Sequence, residues 1–547
     1  MHVRRLLWSL GACAALAAQQ APAPRPTLVV LLAVDQLATW VLDEALPHCG
    51  EHGFKRMLRQ GTAFPNCAYR HACSETGPGH ATIGTGADAR DHGIVGNEWY
   101  DPRSFEKVYC CADPEAQGVG AGTVLPRGPR LLLLPTFGDQ LKLHRGKAAQ
   151  VVSLSWKDRS AIFMAGYAAD DVLWFSRENG TLVSSTRYGA ELPAWAQQFN
   201  AQQPAEAYRG KVWTRCAPDA AYAGLEDDVA FEAMDANGKR TLPAVIDGGP
   251  PTASRSVTAY YEQLFASPFA NELLLAAAKA ALAARQLGAD AVLDLLCVSF
   301  SSNDVIGHRN GPQSVEARDM TLRTDALLAD LFAHLDQVVG KDRWLAILTA
   351  DHGVAPIPEL AARRGVPAGR GLSHAWARDA AERALRAALG EPPAPAKTWV
   401  QAADAGGLYL LPHPERERMR RIAAEAARRV RGLAATFTLD ELLAAGTTDD
   451  PRKRAHVAAT HPLRSPDVTL VPQPHWIDGG IPATHGSPYA YDREVPLLLL
   501  GPGVPAGRVE TLEVTPGAGV LLVARLLGVP MPIAAPALPW PVSDRPR

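Results

Sequence analysis

The chain has 547 residues, 47% of them apolar and 20% charged, with 55 Lys+Arg against 57 Asp+Glu for a formal net charge of −2. That composition is globular and excludes a disordered chain. The near-neutral balance argues against a sequence-independent nucleic-acid binder, whose affinity comes mostly from neutralising phosphates, so no nucleic-acid partner is expected.

Met1 to Arg5 carries two arginines, Leu6 to Ala18 is almost wholly apolar, and Ala15-Leu16-Ala17 offers a small-x-small cleavage site. Residues 1–18 therefore read as a secretory signal peptide, too short to span a bilayer, and 19–26 (QQAPAPRP) as a linker. An uncleaved membrane anchor is the competing reading, and Leu10-Gly11-Ala12-Cys13 loosely resembles a lipoprotein processing site at Cys13. No later run reaches eighteen uncharged apolar residues. The mature chain is expected to be periplasmic or secreted, without a stable membrane span, and a monomer. Seven cysteines remain in it, and an exported protein can keep disulfides. The five between Cys49 and Cys111 are the expected donors, whereas Cys297, in an apolar strand, is expected to be a free thiol.

Thr27 to Val34 (TLVVLLAV) is a continuous apolar run, as expected of a strand buried on both faces, and it ends in Asp35-Gln36. Next comes Ser74-Glu75-Thr76-Gly77-Pro78-Gly79-His80, followed by small residues. Thr76, two residues before a proline, has the look of a helix N-cap. A hydroxyl at a helix N-terminus also feels the positive end of the dipole, which suits a nucleophile; Ser74, Thr82 and Thr85 compete for that role. Gly96-Asn97-Glu98-Trp99-Tyr100 places an amide beside aromatics in a loop. After the strand-like Val151 to Leu154, Lys157-Asp158-Arg159 puts two cations at i and i+2, on one side of an extended segment. Alone such a triplet is a solvated turn; near metals it becomes a clamp for a dianionic phosphoryl group.

Residues 160–270 read as an insertion. Then Ala291 to Phe300 (AVLDLLCVSF) and Trp344 to Thr349 (WLAILT) repeat the buried-strand pattern, with a helix between them carrying Met320, Leu327, Leu331, Leu335 and Val338 at helical spacing. A second insertion, 357–480, holds a basic helix around Glu415 to Leu433 and a strand-like Asp467 to Val471; Val495 to Leu500 is the fourth strand. Strand–helix–strand order signals an α/β domain with a mostly parallel sheet, whose ligands sit off the strands' carboxyl ends. There stand Asp35, then Asp304 and His308 (NDVIGH), then Asp351 and His352 (TADHG), with His485 (ATHGSP) shortly before the fourth strand. Each alone is a cap, a turn or a structural histidine. Six together are the donor set of a catalytic dimetal site.

These motifs resemble the alkaline phosphatase superfamily, and within it the PafA-type periplasmic alkaline phosphatases with a threonine nucleophile. VDQ at Asp35, TGPGHATIGTG at Thr76, GNEWYDP at Asn97, SWKDRSAI at Lys157, SSNDVIGH, TADHG and THG carry the likeness, from about Val29 to Gly503. The resemblance implies a three-layer αβα sandwich over 27–535 with inserted cap segments. It also implies two Zn2+: Asp304, His308 and His485 would hold the first, and Asp35, Asp351, His352 and Thr76 the second. Asn97, Lys157 and Arg159 would bind the phosphoryl group, and phosphate monoesters of broad range would be hydrolysed through a phosphothreonine. Alternatives are a phosphodiesterase or nucleotide pyrophosphatase on the same scaffold, which is not expected to carry the Lys157/Arg159 pair, and an inactive secreted binding protein. The sequence lacks the G-x-S-x-G and G-x-x-x-x-G-K-[ST] motifs of serine hydrolases and P-loop enzymes.

Overall fold

The computed structural model describes residues 25–249, 258–534 and 536–537; the expected signal peptide, Cys13 and most of the expected 19–26 linker lie outside them. From the N-terminus come β1 (Leu28–Val34), α1 (Thr76–Thr85), β2 (Val151–Ser155) and α2 (Asp158–Ala165). β3 (Asp171–Phe175), β4 (Leu182–Ser185) and β5 (Asp294–Phe300) follow, then α3 (Ser302–Asn310), α4 (Val315–Leu335) and β6 (Trp344–Thr349). A cap segment supplies α5 (His374–Leu389), β7 (Val400–Ala403), β8 (Gly407–Leu410), α6 (Arg416–Ala427), β9 (Leu433–Thr438) and β10 (Val468–Pro472). β11 (Leu498–Leu500) returns to the main body.

A ten-stranded sheet runs through the main body. Its centre is five parallel strands in the spatial order β3-β2-β5-β1-β6. All seven residues of β1 and all seven of β5 are buried, which explains their unbroken apolar runs: helices cover both faces and leave no polar side. Truncating one of these side chains, Leu31 for example, should cost about 2–5 kcal/mol. Two strands run the other way, β11 beside β6 and β4 beside β3. Because β11 is antiparallel, its start lies at the same edge as the ends of β1, β5 and β6. His485, which precedes β11, is thereby delivered to the edge where Asp35, Asp304 and Asp351 emerge.

Three expectations need correction. β3 and β4, which fall inside the expected 160–270 insertion, are strands of the central sheet. The buried stripe of α4 carries Leu328 instead of Leu327, and Val338 is 48% exposed, because the helix ends at Leu335 and the next turn widens. The cap folds around its own four-stranded antiparallel sheet, β7-β8-β10-β9, with Leu385, Trp399, Leu408, Met419 and Leu470 in a separate apolar cluster. None of the seven described cysteines is bridged, so the expected pairing among Cys49 to Cys111 is not formed and Cys297 is one free thiol of seven. No helix among the described residues is long and apolar enough to cross a membrane.

Candidate active site

Thr76 sits where three elements meet. Glu75 is the N-cap of α1 and Thr76 its first helical residue, so the Thr76 hydroxyl is not used as a cap. Every residue of α1 is buried, and a Cβ on Gly79 would collide with the backbone of Asp351. Glycine there lets the helix start press against the end of β6. The competing hydroxyls are engaged elsewhere. Thr82 Oγ1 lies between His71 Nε2 (3.0 Å) and His92 Nε2 (3.1 Å), Thr85 donates to the Ala81 carbonyl (2.7 Å), and Ser74 donates to the Ser487 carbonyl (3.3 Å). Only Thr76, among these four, faces cations: Lys157 Nζ at 3.3 Å and Arg159 Nη2 at 3.4 Å.

Lys157 and Arg159 reach it from a helix start and not from an extended segment. Lys157 is the N-cap of α2, and Arg159 its second residue. The Asp158 carboxylate accepts from the Arg159 N–H (2.7 Å), which favours the turn. Asn97 is fixed by two bonds: its Oδ1 accepts from Gly77 N–H and its own N–H donates to Glu75 Oε2, both at 2.7 Å. With Oδ1 committed, the amide presents its Nδ2 donors.

Asp35, Asp304, Asp351 and His352 are buried, and His485 is nearly so. The potential ligand atoms of Asp35, Asp351 and His352 lie within 4.8 Å of one another, as do those of Asp304, His352 and His485. His308 joins the second group, its Nε2 3.1 Å from Asp304 Oδ1 and 3.2 Å from His485 Nε2. In all three histidines Nδ1 faces a carbonyl: His308 that of Ala483 (2.9 Å), His352 that of Gly353 (2.9 Å) and His485 that of Ser74 (2.6 Å). A carbonyl can only accept, so each Nδ1 carries the proton and each Nε2 lone pair points into the cluster, the usual arrangement of metal-ligating histidines. Burial drops His352 to about 3, against which Asp351 pulls upward, so its imidazole is neutral at neutral pH.

Charge completes the argument. Three buried carboxylates share one ammonium, Lys157 Nζ, which is 2.6 Å from Asp35 and 2.7 Å from Asp304. Burial opposes the Lys157 charge, but Asp304 and Asp35 hold its pKa above that of a free lysine. Burial and then Asp351 drive Asp35 well above the usual carboxylate range, with Lys157 opposing. Asp35 Oδ1, Asp351 Oδ2 and His352 Nε2 are buried without a hydrogen-bond partner. Unpaired buried acceptors in an anionic pocket fit divalent cations.

Sequence reasoning passed over several contributors. His80 Nδ1 donates to the Thr76 carbonyl (2.8 Å) while its Nε2 is 2.8 Å from Ser299 Oγ, tying the Thr76 turn to β5. Its i+4 spacing from Thr76 was the available signal. Gln36 donates from Nε2 to Asp304 (2.7 Å) and from its backbone N–H to Asp351 (3.1 Å). A cleft of about 620 Å³ opens from Asn97 and Arg159 toward the cap, where Asp404, Tyr409 and Trp476 line it.

Residues 29–480 match the family model of type I phosphodiesterase / nucleotide pyrophosphatase. The alkaline phosphatase PafA of Elizabethkingia meningoseptica is 37% identical over 335 residues, which is 61% of this chain and 60% of that protein's length. A Myroides odoratus protein named a calcium-transporting ATPase is 31% identical over 502 residues, 88% of both chains. The crystal structure of wild-type alkaline phosphatase PafA superposes with a TM-score of 0.84 at 29% identity, covering 94% of this chain and 99% of the other. With a candidate metal-binding donor set near the strand ends, the α/β fold around a large, mostly parallel sheet and a family match that spans most of its length, the chain belongs to the type I phosphodiesterase / nucleotide pyrophosphatase family of the alkaline phosphatase superfamily.

Proposed function

We propose that the protein is an exported, zinc-dependent alkaline phosphatase that hydrolyses phosphate monoesters with Thr76 as nucleophile. The observation that carries this reading is the convergence of Lys157 and Arg159 on Thr76 Oγ1 beside the three-Asp, three-His cluster. A monoester's phosphoryl group is dianionic, a diester's only monoanionic, and two cations favour the former. The relatives named as alkaline phosphatases support it, and so does a structure of PafA substituted at one threonine, one asparagine, one lysine and one arginine, the residue types and chain order found here at 76, 97, 157 and 159.

Asp304, His308 and His485 would hold one zinc, and Asp35, Asp351 and His352, with Thr76, the other. Bound there, zinc supplies Lewis acidity that favours the alkoxide of Thr76 and offsets charge on the leaving oxygen. Thr76 Oγ1 attacks phosphorus in line as the P–O bond to the leaving group breaks, giving a phosphothreonine and an alcohol. Asn97 Nδ2, Arg159 and Lys157 donate to the nonbridging oxygens, whose charge is spread in a loose transition state. Water then cleaves the phosphothreonine, releasing inorganic phosphate and restoring the threonine.

The test is kcat/KM of the zinc-loaded mature protein for an aryl phosphate monoester and its methyl diester. A monoester preference of several orders of magnitude is expected. A diester preference would keep Thr76 and move the activity to phosphodiesters, the function in the family model's name. Turnover of neither, with zinc bound, would return the chain to a binding role.

A further inference from the structure

Arg159 is held in an unusual way. A largely enclosed arginine ordinarily has a carboxylate within reach, yet among the described residues none lies within ion-pair distance of the half-buried Arg159 guanidinium. Asp158 next to it accepts from the Arg159 backbone N–H and not from its side chain. Arg159 Nη1 donates to the Tyr109 hydroxyl oxygen at 3.1 Å, Nη2 points to Thr76 Oγ1 at 3.4 Å, and Nε is buried with no hydrogen-bond partner. Tyr109 is itself clasped on the other side. Its hydroxyl donates to Asp158 Oδ1 at 2.6 Å, Arg127 Nε donates to Asp158 Oδ2 at 2.8 Å, and the Arg127 guanidinium lies 4.3 Å from the centre of the Tyr109 ring.

We propose that Tyr109 is the positioning residue for Arg159: its hydroxyl, oriented by Asp158 and Arg127, holds Nη1 so that the Nε–Nη2 edge of the guanidinium is presented to two oxygens of the phosphoryl group. The inference rests on the monoesterase reading of the site. Its logic is electrostatic. A carboxylate in place of the phenol would hold the guanidinium as firmly, but it would neutralise the charge that a dianionic substrate needs and compete with that substrate for the same fork. A phenol oxygen is a neutral acceptor. Asp158 accepts the hydrogen bond of the phenol O–H, so the oxygen lone pairs remain for Arg159, and Arg127 balances the Asp158 charge one step further from the phosphoryl site. With Nη1 fixed, rotation of the guanidinium about its long stem is stopped, and the ordering cost is met before substrate arrives. The unpartnered Nε is a buried donor left for a ligand oxygen to satisfy.

Tyr109→Phe keeps the ring, the Arg127 contact and the packing, and deletes the one oxygen that Nη1 binds. The expected result in the zinc-loaded enzyme is a drop of about tenfold in kcat/KM for the aryl monoester and a matching rise in the inhibition constant of inorganic phosphate. The methyl diester should change by no more than about threefold. In Arg159→Ala the same Tyr109→Phe change should add almost nothing, since its effect travels through a guanidinium that is gone. Asp158→Asn, which loosens the Tyr109 hydroxyl without touching Arg159's side chain, should show a smaller loss with the same monoester bias, and it serves should the Phe variant fold poorly. A loss shared equally by both substrates, or a full Tyr109→Phe effect in the Arg159→Ala background, would overturn the assignment. Should Arg159→Ala itself lack monoester bias, the monoesterase reading fails and the positioning role with it; bias in Arg159→Ala without bias in Tyr109→Phe would strike the positioning role alone.

Discussion

Asp467 in the cap and the trio Asp35, Asp304 and Asp351 in the main body are all buried carboxylates, but they are answered differently. Asp467 accepts from Arg416 (Nε and Nη2, both 2.9 Å), Arg420 (Nε, 2.7 Å) and the Leu410 N–H (2.7 Å), so two cations surround one anion. The trio has a single ammonium among three anions, with acceptor atoms left over. The first arrangement is complete and ties α6 to β8 and β10. The second leaves buried acceptors unpaired, as a candidate metal site does. A buried negative charge balanced on the spot is architecture, and one left in surplus marks a site.

Breaking the reactive side of this contrast should give the largest effect. Thr76→Ala is expected to lower kcat by about 10⁴-fold or more, and Thr76→Ser to keep much of the rate, because the serine oxygen can occupy the same place. Steady-state turnover with mass spectrometry of the trapped phosphoprotein checks both; an alanine variant that still becomes phosphorylated would remove Thr76 from the role. Metal comes next. Zinc returned to chelator-stripped protein should raise the melting temperature, by the equivalent of about 4 kcal/mol at a thousandfold excess over Kd. The increment should shrink in Asp351→Asn, which removes a ligand of one of the two sites, and survive in full in Asp467→Asn, which differential scanning calorimetry can read without any assay of activity.

The reactive side was also the more legible one. Asp35, Asp304, Asp351 and His352 lie within a few residues of strands whose apolar runs announce themselves, and parallel topology carries all such ends to one edge. His485 fits the same edge for a reason sequence does not reveal, the reversed direction of β11. Lys157 and Arg159 were found by proximity in the chain, yet their geometry was misread: an i, i+2 pair on a strand would share a face, whereas here a helix starts between them. Tyr109 and His80 escaped because their partners are distant in sequence. The Tyr109 bond to Asp158 spans 49 positions and the His80 contact with Ser299 spans 219. β3 and β4 were assigned to an insertion because short edge-side strands flanked by turns have no periodic signature that separates them from a cap.

On the structural side, Asp467→Asn should cost about 3 kcal/mol in cap stability, since it leaves Arg416 with one weak acceptor and Arg420 with Asp440 alone as its carboxylate. Zinc content should not change. Limited proteolysis within the cap is the sensitive readout, and a cap as resistant as the parent's would show that the two arginines find other partners.

The smallest expected effect tests whether surplus charge can also be settled by protons. Glu232 and Glu316, both buried, each have an oxygen without a partner. Burial, then the neighbouring Glu316, lifts Glu232 to about 8; burial, then Asp227, lifts Glu316 to about 7, against the pull of its own N–H. A carboxyl whose folded-state pKa lies above its unfolded value of about 4.5 binds its proton more tightly when folded. Its stabilising contribution is therefore complete below pH 4.5 and is lost as pH rises through about 7 to 8. Glu232→Gln, which fixes a neutral side chain of the same shape, should match the parent in urea titrations near pH 5 and exceed it by about 1 kcal/mol near pH 9. A constant difference across that range would mean that the pair is already neutralised by a bound cation, which would place it with the strand-end trio instead.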